Sequence, residues 1–368
     1  MIQYGPPTER PANNPNFLVA LVTNNAMPST LTVLICNYNH GRFIARAIEA
    51  VLTQSRPADE FIIIDDCSTD ESVSVIRGWV ERYPSIRFLQ NERNLGIHAS
   101  FQRGIEAATS DFLYGGAADD RVLPGFFEGA MRMAEQYPTT GLICGQFVSV
   151  DPSGRPLWTC KLTRVNQAEF LEPSRYLRDV LMVEPATHSL SAATIFRIRP
   201  LLDFGGIRAD LSSWGDTFAI QVIGLRHGLC YWPHPAMEWT ILPGSVSQST
   251  RSDPMKALRI VDRAVELMRS DAYRALFPAK YVEQWAREYR QSIAHEQLST
   301  IIEANQVLQA ECRVVAESAN WPTRTVLQLL QFAMRALYFV TFRVLRSVMA
   351  ARLARRSADE KRGRNESH

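Results

Sequence analysis

The sequence predicts an α/β protein: a mostly parallel central sheet with helices on both faces, followed by a C-terminal helical extension. Two observations predict it. From Leu31 onward, apolar runs of strand length alternate with stretches whose apolar residues recur at helical spacing, joined by short connections. Alternation of that kind builds a parallel, doubly wound sheet. In addition, polar and acidic residues collect where the strand runs end, and in open α/β sheets ligands bind at the carboxyl ends of strands.

The elements follow in order. LTVLIC (31–36) reads as a buried strand, NYNHG (37–41) as a loop and RFIARAIEAVLTQ (42–54) as an amphipathic helix. EFIIID (60–65) is a strand, DCSTD a loop and ESVSVIRGWVERY (71–83) a helix. SIRFLQ (85–90), the loop NERNLG, the helix IHASFQRGIEAAT (97–109) and the strand DFLYGG (111–116) continue the alternation. Beyond Pro138 the pattern loosens. GLICGQFVSVD (141–151) and SLSAATIFRI (189–198) read as strands, and LSSWGDTFAIQVIGL as a helix behind a loop. Charged amphipathic helices run from Pro254 to about Ala319, closed by Trp321-Pro322.

The last element, Val326 to Arg356, is basic and rich in aromatic residues. Arg324, Arg335 and Arg346 are spaced eleven apart and fall on one helix face, and its uncharged runs reach at most ten residues. That is short of the roughly 20 needed to span a bilayer, so residues 324–356 read as an interfacial helix on anionic lipid. A helix docked on the protein's own body or on a partner chain is the alternative. The expected division is a loose N-terminal arm (1–30), a main domain (31–250, with halves 31–137 and 138–250) and a helical extension (251–320). A membrane-associating helix (321–356) and a disordered tail (357–368) complete it.

Composition narrows the function. The chain has 368 residues, 46% apolar and 21% charged, which suits a folded protein with a full core. Its net charge of +2 is uneven: from Arg324 onward ten Lys/Arg face three Asp/Glu, leaving the other 323 residues at −5. A mildly acidic body excludes a general nucleic-acid-binding surface, and the basic tail asks for an anionic partner. The six cysteines are scattered with no C-x-x-C pair, which points to a reducing compartment without structural metal. FLVALV (17–22) is too short for a signal sequence. The expected location is the cytoplasm, peripheral at the inner face of the cell membrane.

Two strand runs end in adjacent carboxylates, Asp65-Asp66 and Asp119-Asp120. Ser68-x-x-Glu71 fits a capping box, with Asp70 in the helix's favourable first turn, and Asp65 is expected to hold the loop. Asp66 has no such role and could accept the imide N–H of uracil or thymine. Asp119-Asp120 follows the small run GGAA, which would let a ligand approach the backbone. Oxygen donors of this kind suit Mg²⁺ or Mn²⁺. A cap for a helix starting near Val122 is the other reading of that pair. His40, His98 and His188 each stand alone near a loop and read as surface or hydrogen-bonded groups, with a pocket contact open for His98 and His188.

Taken together, LTVLICNYNHGRFIARAIEAVLTQ, FIIIDDCSTDESVSVI, NERNLGIHASFQRGIEAATSDFLYGGAADDRVLP, and WGDTFAIQVI with LPGSVS resemble glycosyltransferase family 2, of Rossmann-like GT-A fold. The resemblance runs from about Leu31 to Gln248 and implies an inverting, metal-dependent transfer from a nucleotide-diphosphate sugar. It implies that Cys36 and Tyr38 lie at the donor, with Tyr38 lining the base pocket, and that Asp66 hydrogen-bonds the base. Asn94 to Gly96 would close over the nucleotide, Asp119 hold the ribose side and Asp120 ligate Mn²⁺ or Mg²⁺ bridging to the diphosphate. Asp216 would be the general base on the acceptor hydroxyl.

Three positions depart from the family pattern: Ala117 replaces the first Asp of Asp-x-Asp-Asp, Gly215 the Glu before the base, and Leu242 a frequent His before P-G-S. No Q-x-x-R-W follows, which favours single additions over processive synthesis. The expected protein is a hexosyltransferase using a UDP- or dTDP-sugar. Its acceptor would be a glycan or lipid-linked hydroxyl in cell-surface polysaccharide assembly. A catalytically silent sugar-nucleotide-binding partner in such an assembly is the competing reading. A nucleotidyltransferase would need a basic Gly-rich loop, and a dinucleotide oxidoreductase a G-x-G-x-x-G after a strand. Neither is present.

Overall fold

The computed structural model describes residues 28–184 and 190–318, with residues 300–318 as backbone only. The arm, the tail helix and His188 lie outside these residues, apart from positions 28–30. Strand β1 (Leu31–Asn37) is buried along its whole length. Helix α1 (Gly41–Leu52) lays Phe43, Ile44, Ala47, Ile48 and Val51 into the core, the spacing of one helix face. Next come β2 (Glu60–Asp65), α2 (Ser72–Arg82), β3 (Ile86–Gln90), α3 (Ile97–Ala107) and β4 (Phe112–Ala117). Every boundary here lies within two residues of that read from the sequence.

A short β5 (Arg121–Val122) and α4 (Phe126–Gln136) follow, then β6 (Leu142–Val150), β7 (Pro156–Cys160), β8 (Glu169–Leu171) and β9 (Thr194–Arg197). Helix α5 (Ile198–Phe204), a 3₁₀ segment (Ala209–Trp214), α6 (Gly215–His227) and β10 (Leu229–Thr240) complete the sheet region. The sheet runs β3-β2-β1-β4-β9-β6-β10-β5, with β7 on β6 and β8 on β10. The first four of these strands are mutually parallel, and β6 is parallel to β10. By contrast β9 is antiparallel to β4 and β6, and β5 to β10. The sheet is therefore mixed rather than uniformly parallel.

The 12-residue β10 was not legible in the sequence. Pro233 and Pro235 interrupt it, and its pairing with β6 shifts register between Tyr231 and Met237; a proline removes a ladder donor and is accommodated at such irregularities. Helices α7 (Val246–Arg251), α8 (Pro254–Arg269) and α9 (Ala279–Ser318) end the described chain. The helices after residue 250 are no separate body. Ile260, Val261, Leu267, Met268, Tyr281 and Trp285 belong to the same hydrophobic core as the sheet. Among the described residues, no helix is long and apolar enough to cross a membrane.

Candidate active site

The end of β1 brings the two aspartate pairs together. The carbonyl of Asn37 accepts the Asp66 amide at 2.9 Å, and the carbonyl of Cys36 accepts the Ala118 amide at 3.1 Å. Both acidic loops thus leave strands that flank β1, on one rim of the sheet. Tyr38 is exposed at this rim, and Asn39 adopts φ 53°, a left-handed conformation that asparagine tolerates. Cys36 itself is buried, its thiol pushed up to about 12 by burial and by the charge of Asp66.

Asp65 and Asp66 do different work. Asp65 accepts from the Asn37 amide group (2.7 Å), the Ser68 hydroxyl (2.6 Å) and the Ser68 N–H (2.9 Å), so it ties the loop to the neighbouring strand. Asp66 accepts from Asn91 Nδ2 (2.7 Å) and the Leu95 N–H (2.8 Å) on one oxygen, and from the Gly96 N–H (2.8 Å) on the other. Burial acts to raise its pKa, but these hydrogen bonds outweigh it and hold the carboxyl below the ordinary value. The Asn94–Gly96 segment is therefore folded onto Asp66, with Asn94 Oδ1 accepting from Gly96 at 3.0 Å. The capping box is corrected. Helix α2 starts at Ser72, and the Ser68 hydroxyl accepts from the Asn39 N–H at 2.9 Å instead. It is Asp70 that caps, accepting from Ser72 at 3.0 Å and from Gly41 of α1 at 2.9 Å.

Asp119 and Asp120 are both buried. They do not cap a helix: Val122 lies in β5, and α4 begins only at Phe126 behind the left-handed Gly125. Asp120 Oδ1 accepts the Thr240 N–H at 2.9 Å, and Thr240 Oγ1 donates to the Asp119 carbonyl at 2.6 Å. Arg46 of α1 joins them, with Nη2 at 3.0 Å from the Asp119 carbonyl and 3.2 Å from Thr240 Oγ1. A bidentate Arg121–Glu238 pair (2.9 and 2.6 Å) fixes β5 on β10 next to this point. Burial raises both carboxyls, Asp120 well above the usual carboxylate range because Asp119's charge adds to it. His40 Nδ1 approaches Asp119 at 3.5 Å and, with Arg46, draws it back down.

This donor set fits a hard divalent cation. Adjacent buried carboxyls resist ionising together, and a bound cation removes that penalty. Among the described residues no cluster of three or more His, Cys, Asp or Glu is placed to hold a metal alone, so phosphate and water would complete the shell, as Mg²⁺ and Mn²⁺ sites allow. Not all of the GGAA run serves a ligand. A Cβ at Gly115 would lie 2.3 Å from the Phe101 ring, so that glycine makes room for α3.

Asp216 stands in the first turn of α6. It accepts from its neighbour Thr217 (N–H 2.6 Å, Oγ1 3.3 Å), and Ser191 and His98 also favour its charged form. Burial nonetheless raises its pKa. The departure at Gly215 has a packing cause. A Cβ there would sit 2.4 Å from the carbonyl oxygen of Arg208, leaving no room for glutamate.

Residues 32–201 match the family model described as Glycosyl transferase family 2. Over these residues the chain is similar to family 2 glycosyltransferases. Its fold is GT-A, similar to the crystal structure of S. aureus TarS 1–349 in complex with UDP-GlcNAc (TM-score 0.56, 16% identity, 71% of each chain). It is also similar to mannosyltransferase PcManGT from Pyrobaculum calidifontis in complex with GDP-Man and Mn²⁺ (TM-score 0.52, 16% identity, 84% of this chain and 87% of that one). An uncharacterized glycosyltransferase, YibD of Escherichia coli (strain K12), is 40% identical over 104 residues, 28% of this chain and 30% of that protein. The succinoglycan biosynthesis protein ExoO of Rhizobium meliloti (strain 1021) is 30% identical over 111 residues, 30% of each. The chain thus spans about a third of the length of these two relatives.

Sequence reasoning missed His40, Arg46 and Thr240 as site residues, and these surround the second aspartate pair. His40 also lines a cavity of about 260 Å³ with Arg42, Leu242, Gly244 and Ser245. The signal for Arg46 and Thr240 was weak, because each is far from the aspartate pair in sequence and neither belongs to an acidic motif.

Proposed function

We propose that this protein is a metal-dependent, inverting glycosyltransferase of family 2. It would move one sugar from a nucleotide-diphosphate donor to a hydroxyl of a glycan or lipid-linked acceptor. The observation that carries this reading is the buried Asp119–Asp120 pair, on the same sheet rim as Asp66 and raised in pKa by burial.

Asp120, with Asp119 beside it, would hold Mn²⁺ or Mg²⁺. Such a cation, when bound, neutralises charge developing on the diphosphate leaving group. Asp66 would accept the imide N–H of uracil or thymine, with Tyr38 against the base and Asn94–Gly96 closing over the nucleotide. Cys36 would contribute backbone and not thiol, since the sulfur is buried. Asp119 would also hold the ribose side, and His40 and Arg42 give the adjoining cavity a basic lining for phosphate oxygens.

Asp216 would take the proton from the acceptor hydroxyl as its oxygen bonds to the anomeric carbon. The bond from that carbon to the diphosphate oxygen breaks in the same displacement, which inverts the centre. The raised pKa of Asp216 suits a base. Support for the donor comes from TarS and PcManGT, whose structures hold UDP-GlcNAc and GDP-Man. ExoO, a succinoglycan biosynthesis protein, supports a role in surface polysaccharide assembly.

A silent sugar-nucleotide-binding protein is the second reading, favoured by Leu242, which is buried in the cavity wall where the family often has histidine. Gly215 no longer favours it, because packing against Arg208 accounts for that glycine. Calorimetry with UDP, dTDP and GDP, with and without Mn²⁺ and repeated on Asp120→Ala, tests the site. Metal-dependent binding of one nucleotide, lost in the variant, is the expected result; no binding of any nucleotide rejects the donor site. Nucleotide binding without donor hydrolysis or transfer to any acceptor would favour the silent reading.

A further inference from the structure

The two halves of the site are joined through a histidine that the sequence reading left unassigned. His98 lies in the first turn of α3, two residues past Gly96. Its Nε2 is 3.2 Å from the carbonyl oxygen of Ser212, 114 residues away in the chain. A carbonyl can only accept, so Nε2 carries the proton and donates. Ser212 is held at φ 46°, ψ −125°. A residue with a Cβ rarely adopts this conformation, which persists only where the surroundings enforce it.

Those surroundings are visible. Arg208 pairs with Asp210 (2.9 and 2.7 Å), Arg263 of α8 reaches Asp210 at 2.8 Å, and Trp214 Nε1 donates to the Tyr289 hydroxyl at 3.1 Å. Each of these grips the segment on one side. His98 grips it from the donor half, at the strained residue itself. Four residues later the chain reaches Asp216, close enough for the His98 ring to favour its charge. On the other side, Gly96 is bonded to Asp66. A carboxylate has about four lone-pair sites, and Leu95, Gly96, Asn91 and the Ser100 hydroxyl already donate to this one. A nucleobase donating to Asp66 must share or displace one of those donors, which moves or tightens the segment that leads into His98.

We propose that His98 is a positioning residue: its hydrogen bond to the Ser212 carbonyl sets the turn that presents Asp216 and couples that turn to nucleotide occupancy at Asp66. The proposal rests on the reading of Asp216 as the base. It makes His98 a link between donor and acceptor sides, and it gives the strain at Ser212 a use.

The test compares the full chain with His98→Ala and His98→Gln, whose amide can still reach the Ser212 carbonyl. Nucleotide affinity is measured for UDP, dTDP and GDP with Mn²⁺, and turnover as nucleotide release from UDP-GlcNAc, UDP-galactose, dTDP-rhamnose and GDP-mannose. Hydrogen exchange over 209–217 is followed with and without nucleotide. In His98→Ala, kcat is expected to fall about tenfold or more while nucleotide affinity stays within about threefold, since misplacing a catalytic group by 1 Å costs up to about a hundredfold. Nucleotide should slow exchange over 209–217 in the wild type but not in His98→Ala, and His98→Gln should recover most of both effects. A merely structural role would lower melting temperature without this split or rescue. Turnover in His98→Ala within about twofold of wild type, or an undiminished exchange response, overturns the proposal. Unchanged turnover in Asp216→Asn removes the base assignment, and the proposal with it.

Discussion

Thr240 donates its backbone N–H to Asp120 at 2.9 Å and its hydroxyl to the Asp119 carbonyl at 2.6 Å, so one residue from the end of β10 holds both members of the acidic pair. Thr240→Val keeps the shape and the backbone donor but loses the hydroxyl. A lost buried hydrogen bond costs about 1–2 kcal/mol, a fall in melting temperature of about 1–3 °C at this size. Mn²⁺-dependent nucleotide binding should weaken about tenfold, the equivalent of about 1.4 kcal/mol. Binding as tight as wild type would show that the hydroxyl does not order the pair.

Asp216 carries a pH signature. Its carboxyl is raised in the fold, above an unfolded value of about 3.9. A base must be ionised, so the acid limb of kcat/KM should lie above the ordinary aspartate range, with activity lost as pH falls through it. The stability sign is opposite. Between the unfolded and the raised folded pKa the native state binds more protons, so stability falls with rising pH across that window and the deficit persists above it. Asp216→Asn should therefore lose at least about a hundredfold in kcat while melting no lower than wild type at pH 8. Turnover within threefold of wild type would rule out the assignment.

Gly215→Glu restores the family's usual residue and should still harm the protein. The new Cβ would meet the Arg208 carbonyl oxygen at 2.4 Å. That carbonyl belongs to a segment braced by Asp210 and Arg263, so the clash has little room to relax. Overpacking of this kind costs about 1–3 kcal/mol, and both melting temperature and turnover should drop. A more active Gly215→Glu enzyme would mean that the glycine is a functional loss after all.

Deleting residues 324–368 removes the basic stretch, which lies outside the described residues. The shortened protein should leave the membrane fraction and lose salt-sensitive binding to anionic vesicles. Its melting temperature should stay within a degree or so of the full chain's, about the size of a change that touches no packed residue. Unchanged sedimentation with membranes would rule out this stretch as the membrane anchor.

Legibility followed locality. The β1–β4 half was readable to within two residues because its strands, helices and acidic ends are contiguous in sequence. Ser68 and Asp70 both read as capping residues, and the Ser68 half failed: Ser68 is drawn toward Asn39 across the rim, a contact 29 residues away. The strand β10 was hidden by Pro233 and Pro235, which read as a break in one dimension and are absorbed by register shifts in three. His40, Arg46 and Thr240 were invisible as site residues for a related reason. Each is common in its own element, and only the tertiary fold brings it to Asp119.

The indole of Trp214 lies 4.6 Å from that of Trp285, and its N–H meets the hydroxyl of Tyr289. The family match stops at residue 201, yet the segment leading to Asp216 leans on aromatic groups of the final described helix. Trimming the chain to the matched region would remove Trp214 and Phe218 altogether, and trimming it at residue 250 would bare them to solvent. A fragment cut at residue 250 should aggregate, and one that runs past Tyr289 should keep this packing and stay in solution.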